Sequence, residues 1–84
     1  MAKVLLYTTG TCPYCSRALR LLTRKGATYE EIRIDEDPRQ REDMIARSGR
    51  ETVPQIFIDE DHVGGYDDLV ELDMAGELEP RLQQ

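Results

Sequence analysis

The chain holds only two cysteines, Cys12 and Cys15, and they fall between an apolar run and a helix-spaced apolar stripe. That placement constrains the fold more than any other feature. Upstream, Val4-Leu5-Leu6-Tyr7 is continuously apolar and is ended by Thr8-Thr9-Gly10-Thr11. A short run with no polar alternation predicts a strand buried on both faces, as in a parallel or mixed sheet. Downstream, Pro13 suits a first helical turn, where its missing N–H costs nothing. Cys15, Ala18, Leu19 and Leu22 then recur at one-face spacing, with Arg17, Arg20 and Arg24 between them on the wet side. Gly26 is placed to stop this helix, with Lys25 in its last turn.

The remaining elements follow the same logic. Thr28 to Ile34 reads as a second strand, so the first three elements form a right-handed parallel crossover. Asp37-Pro38-Arg39-Gln40 is a capped helix start; Met44 and Ile45 face the core, and Gly49 ends the helix. Gln55-Ile56-Phe57-Ile58 and His62-Val63 read as two strands joined by Asp59-Glu60-Asp61. Gly64-Gly65 permits a sharp turn. Asp67 or Asp68 is then expected to cap a third helix carrying Leu69, Leu72 and Met74, and Glu77 to Gln84 reads as a polar tail with room for one more helical turn. The expected order is β-α-β-α-β-β-α. It describes an α/β fold, one domain over residues 1–84, with a four-stranded mixed sheet and helices on both faces.

A disulfide between Cys12 and Cys15 would close too small a loop to restrain the unfolded chain much. Chemistry is the better reason for the pair, and a strand-to-helix junction is the context in which Cys-x-x-Cys reads as a thioredoxin-like redox motif. Unpaired N–H groups and the dipole at a helix N-terminus favour a thiolate at Cys12. Cys15 lies one turn further, on the apolar stripe, and is expected to be more buried and less ionised. Cys12 is thus the expected nucleophile, Cys15 the resolving thiol, and Arg17 a source of positive potential nearby. A structural zinc site needs four ligands; the chain offers Cys12, Cys15 and His62 with no second cysteine pair, so no metal is expected. His62 reads as an ordinary surface or turn histidine.

Composition narrows the class. Hydrophobic residues make up 39% and charged residues 33%, with a formal charge of −6. No apolar run approaches the ~20 residues needed to cross a membrane, and the first apolar stretch is too short for a signal-peptide core. A soluble, cytoplasmic protein is expected. Residues 1–50 carry a net +3 and residues 51–84 a net −9. The basic excess on the cysteine side is read as solvated helix faces or as attraction for an anionic substrate. The overall sign and the lack of aromatic-basic interleaving argue against nucleic acid.

Three segments carry a family resemblance that runs from Lys3 to about Leu78. Cys12-Pro13-Tyr14-Cys15, Thr52-Val53-Pro54 and Gly64-Gly65-Tyr66-Asp67-Asp68 occur in the order and spacing of the glutaredoxins. The sequence resembles their dithiol class, and the compact bacterial type most closely. The resemblance implies the thioredoxin-like fold, a cis peptide bond before Pro54, and glutathione-dependent reduction of protein disulfides and glutathione mixed disulfides. It implies a glutathione site in which Tyr14 flanks the tripeptide, Thr52, Val53 and Pro54 hold its cysteinyl part, and Gly65, Tyr66, Asp67 and Asp68 take its γ-glutamyl end. Arg41 is implied to meet the glycine carboxylate. Glutathione would be a co-substrate, with no tightly bound cofactor, and the implied partners are glutathione and disulfide-containing or glutathionylated proteins, met by a monomer.

Two alternatives come from the same resemblance. One is a dimer that holds a [2Fe–2S] cluster through Cys12 and glutathione. The other is a glutaredoxin-like electron donor served by thioredoxin reductase, against which the Gly64-to-Asp68 segment speaks. One position departs from the pattern: Thr9 stands where many dithiol members have Lys. That implies a less anionic Cys12, weaker glutathione binding, or compensation by Arg17 or Arg41.

Overall fold

A computed structural model describes residues 2–83. The elements are β1 (Val4–Thr8), α1 (Pro13–Arg24), β2 (Tyr29–Arg33), α2 (Pro38–Ser48), β3 (Gln55–Ile58), β4 (Asp61–Gly64), α3 (Tyr66–Met74) and α4 (Leu78–Leu82). They form one four-stranded sheet in the order β2-β1-β3-β4. β1 runs parallel to β2 and antiparallel to β3, and β3 and β4 form a hairpin. This is the mixed sheet the sequence predicts.

Every residue of β1 and β3 is buried. Because side chains alternate across a strand, each of these strands feeds two cores. Val4 and Leu6 of β1 join Ala18, Leu22, Leu69 and Leu78 on one face. Leu5 and Tyr7 join Ile34, Met44 and Phe57 on the other. So α1, α3 and α4 cover one side of the sheet and α2 the other. The Tyr7 hydroxyl donates to Asp43 at 2.5 Å and accepts from Arg47 at 3.0 Å, fastening α2 to the sheet through its polar tip.

Three expectations change. The third helix is preceded by Gly65, not capped at Asp67 or Asp68. Gly64 adopts φ +120° and Gly65 is extended, so the chain enters the helix early; a Cβ at Gly64 would lie 2.2 Å from the Asp68 carboxylate. Asp68, one turn in, instead reaches back to the Gly65 N–H at 2.9 Å. Met74 is 82% exposed and takes no part in the core. The tail is not merely polar: Leu78 is fully buried and Leu82 nearly so, and the Leu82 carbonyl accepts from Ala2 N–H at 3.1 Å. The apolar pair spaced four apart places α4 on the core as one face of a helical turn.

Candidate active site

Cys12 is the residue at the mouth of α1, with extended backbone (φ −97°, ψ 109°) and Pro13 immediately inside the helix. Its sulfur accepts the Cys15 N–H at 3.2 Å, taking one of the helix's unpaired donors. It lies 3.7 Å from the Val53 carbonyl, to which the thiol donates. Cys12 is half-buried, whereas Cys15 is 2% exposed. Both thiols are free. Burial pushes the Cys15 thiol up to about 12, helped by its hydrogen bond to the Cys12 sulfur and only partly opposed by a backbone hydrogen bond from Thr9. The two sulfurs therefore occupy opposite environments: one at a helix mouth with a route to solvent, one sealed and protonated at neutral pH.

The loop ahead of Cys12 is held from the side. Asp35, just past β2, accepts the Gly10 N–H at 3.1 Å and a forked pair of bonds from Arg33 at 2.8 and 2.9 Å. The Arg33 guanidinium and then the Gly10 N–H hold the Asp35 carboxyl at about 2. A Cβ at Gly10 would meet the Arg33 guanidinium, so a larger residue there would push the tip of that side chain away from Asp35.

Beside Cys12 runs a groove of about 250 Å³. Tyr14, Thr52, Val53 and Pro54 form one wall, and Gly65, Tyr66, Asp67 and Asp68 the other. The Val53–Pro54 bond is cis. The Tyr14 and Tyr66 rings of this lining lie close together, centroids 6.2 Å apart and tilted by 38°, and a Cβ at Gly65 would lie 3.6 Å from the Pro54 carbonyl oxygen. Eight of the nine residues singled out for this role thus share one groove. Arg41 does not line it; its guanidinium stands 3.8 Å from Glu51.

Sequence reasoning missed two groove residues, Arg50 and Gln55. Arg50 pairs with Asp68 at 3.2 Å. The Gly65 N–H first, and then Arg50, hold the Asp68 carboxyl below the usual aspartate value. Gln55 is 1% exposed and spends its whole amide: its nitrogen donates to the Thr52 carbonyl (3.0 Å) and hydroxyl (3.2 Å), and its oxygen meets His62 Nε2 at 2.8 Å. His62 is therefore not an ordinary surface histidine. It is half-buried, tilted against the Phe57 ring at 4.9 Å, and its pKa is lowered by burial and by Arg50. The available signal was the two-apart alternation of β3, which turns Gln55 and Phe57 to one face. Among the described residues, no group of three or more His, Cys, Asp or Glu side chains could hold a metal ion, and no helix is long and apolar enough to cross a membrane.

The glutaredoxin family model matches residues 4–63. The chain belongs to the glutaredoxin family. It is 57% identical over 83 residues to Glutaredoxin 3 of Escherichia coli (strain K12), covering 99% of this chain and 100% of that protein. It is 50% identical over 82 residues to a glutaredoxin of Pseudomonas aeruginosa, covering 98% of each. Among solved structures it matches a buckwheat glutaredoxin–glutathione complex (TM-score 0.90, 30% identity, 98% of this chain and 77% of that one). It also matches a glutaredoxin from Brucella melitensis (TM-score 0.86, 51% identity, 98% and 89%). These relatives make the molecule a bacterial-type glutaredoxin, a glutathione-dependent thiol–disulfide oxidoreductase with the thioredoxin-like fold.

Proposed function

We propose that this glutaredoxin is of the dithiol class, with Cys12 as nucleophile, Cys15 as resolving thiol and glutathione seated in the groove beside them. The observation that carries the proposal is the contrast at the cysteines: Cys12 at the helix mouth takes the Cys15 N–H, and Cys15 is sealed with its proton held. The thiolate is the species that attacks a disulfide.

In the one-cysteine route the Cys12 thiolate attacks the glutathione sulfur of a mixed disulfide. A Cys12–glutathione bond forms, and the target leaves as thiolate. A second glutathione thiolate then attacks that bond, forming oxidised glutathione and restoring Cys12. In the two-cysteine route Cys12 first joins one sulfur of a protein disulfide. Cys15 gives up its proton, attacks the Cys12 sulfur, and the protein leaves as a dithiol. Two glutathiones reduce the Cys12–Cys15 bond and become oxidised glutathione.

The groove suits glutathione at each end. Tyr14 flanks it, while the Thr52, Val53 and Pro54 backbone faces the cysteinyl part as an added strand would. The α3 N-terminus, at Tyr66 and Asp67, offers backbone N–H groups to the γ-glutamyl carboxylate. Asp68 is occupied by Gly65 and Arg50, whereas Asp67 makes no ion pair among the described residues and is the freer partner for the ammonium group. Arg41, which stands outside the groove beside Glu51, would meet the glycine carboxylate only by leaving that partner. The monomer acts in the cytoplasm on glutathionylated and disulfide-bonded proteins.

The test is a glutathione-coupled assay on a small mixed disulfide and on a protein disulfide. Cys12→Ser should abolish both reactions. Cys15→Ser should keep the first and lose the second. A Cys15→Ser protein that loses both overturns the assignment of roles.

A further inference from the structure

The outer face of α1 carries Arg17, Arg20 and Arg24, all exposed. None has an acidic partner within 4 Å among the described residues, although the chain carries a net −6. Elsewhere Lys25, Arg33, Arg39, Arg41, Arg50 and Arg81 are paired and Arg47 donates to the Tyr7 hydroxyl, which leaves Lys3 as the one further cation without an acidic partner among the described residues. The three free guanidiniums, with Thr23 and Tyr66, line a groove of about 530 Å³. It is continuous with the active site: Tyr66 belongs to both grooves, and Arg17 lies 5.3 Å from the centre of the Tyr14 ring, between the two cysteines in sequence.

We propose that this face docks an acidic segment of the protein substrate, so that targets with Asp or Glu near the reacting cysteine are reduced in preference to neutral ones. Unpaired guanidiniums at the rim of a site attract and orient a partner of opposite sign. A short acidic peptide fits better than nucleic acid. Residues 51–84, with a net −9, would repel a long polyanion more than a short segment confined to the arginine face. The inference rests on the oxidoreductase reading above and names the substrate class of that site.

The test has two arms. In the binding arm, a fluorescein-labelled Asp/Glu-rich peptide without cysteine is titrated by anisotropy. A neutral Ser/Gly peptide and a single-stranded oligonucleotide serve as comparisons. In the kinetic arm, acidic and neutral glutathionylated peptides are compared with a small glutathione mixed disulfide. Wild type should bind the acidic peptide, and reduce its glutathionylated form, about tenfold better than the neutral one at low salt, and the preference should shrink at high salt. Arg20→Glu with Arg24→Glu should erase the preference through KM and leave the small mixed disulfide within about twofold, while Arg20→Lys with Arg24→Lys should keep it. Equal rates on the two peptides in wild type overturn the proposal. So does a charge reversal that slows all three substrates alike, or tighter binding of the oligonucleotide than of the acidic peptide. Selective acidic-peptide binding without reduction of any mixed disulfide would leave the docking face standing and overturn the oxidoreductase reading.

Discussion

At the scale of single residues, the least visible part of the site is the buried amide of Gln55. Its signal in the sequence is one polar residue opening an apolar strand, and nothing local distinguishes it from a strand cap. In the fold it spans two elements, holding the Thr52 carbonyl on one side and His62 on the other. Gln55→Leu keeps the size and removes all three bonds. It should destabilise the protein by about 1–3 kcal/mol, because Thr52 and His62 keep polar atoms that have lost their partner. It should also raise the KM for glutathione more than it lowers kcat, since the Thr52 backbone is a groove wall. Urea unfolding and glutathione-dependent kinetics together check this; a change in stability with an unmoved KM would separate Gln55 from the groove. Cys12 and Cys15, by contrast, were legible in their placement, because helix periodicity alone puts one at the mouth and the other on the buried stripe.

At the scale of elements, strand and helix identities followed from periodicity, and the misreadings fell where a few residues had to be judged without their partners. Met74 lies five residues after Leu69, which turns it off the buried face at the last residue of α3. Leu78 and Leu82 looked like scattered apolar residues in an acidic tail. They become core because their four-residue spacing puts both on one face of α4, in the cluster with Val4, Leu22 and Leu69, while Lys25, at the end of α1, bridges Asp73 at 2.8 Å and Glu79 at 2.9 Å. Leu78→Ala should therefore cost about 2–5 kcal/mol, and Met74→Ala less than about 0.5 kcal/mol, in denaturant unfolding. Comparable losses at the two positions would contradict the placement of α4. The link from β2 to the active-site loop has its own signature in pH. Asp35 titrates at about 2 in the folded protein, against ~3.9 for an unfolded aspartate. Its stabilising contribution is complete above the unfolded value and is lost as pH falls through the folded one. Asp35→Asn should flatten the fall in stability between about pH 4 and 2; an unchanged slope would mean Asp35 does not hold the loop against the folded sheet.

At the scale of the whole molecule, the β-α-β-α-β-β-α order was enough to deduce the mixed sheet, because a parallel crossover followed by a hairpin leaves few arrangements. The groove beside Cys12 was not deducible from residue patterns alone. Its walls come from the start of α1, the segment before β3 and the start of α3, which are far apart in the chain and meet only when the sheet closes. The family resemblance supplied what periodicity could not, except Arg50 and Gln55, which no motif marked. The most direct test of the central claim is the site of alkylation in the reduced wild-type protein, given limiting iodoacetamide at pH 7 and read by fragment mass mapping. Adduct on Cys12 with Cys15 unmodified is the expected result. Adduct on Cys15, or equal labelling of both, would contradict the division of labour between the two sulfurs.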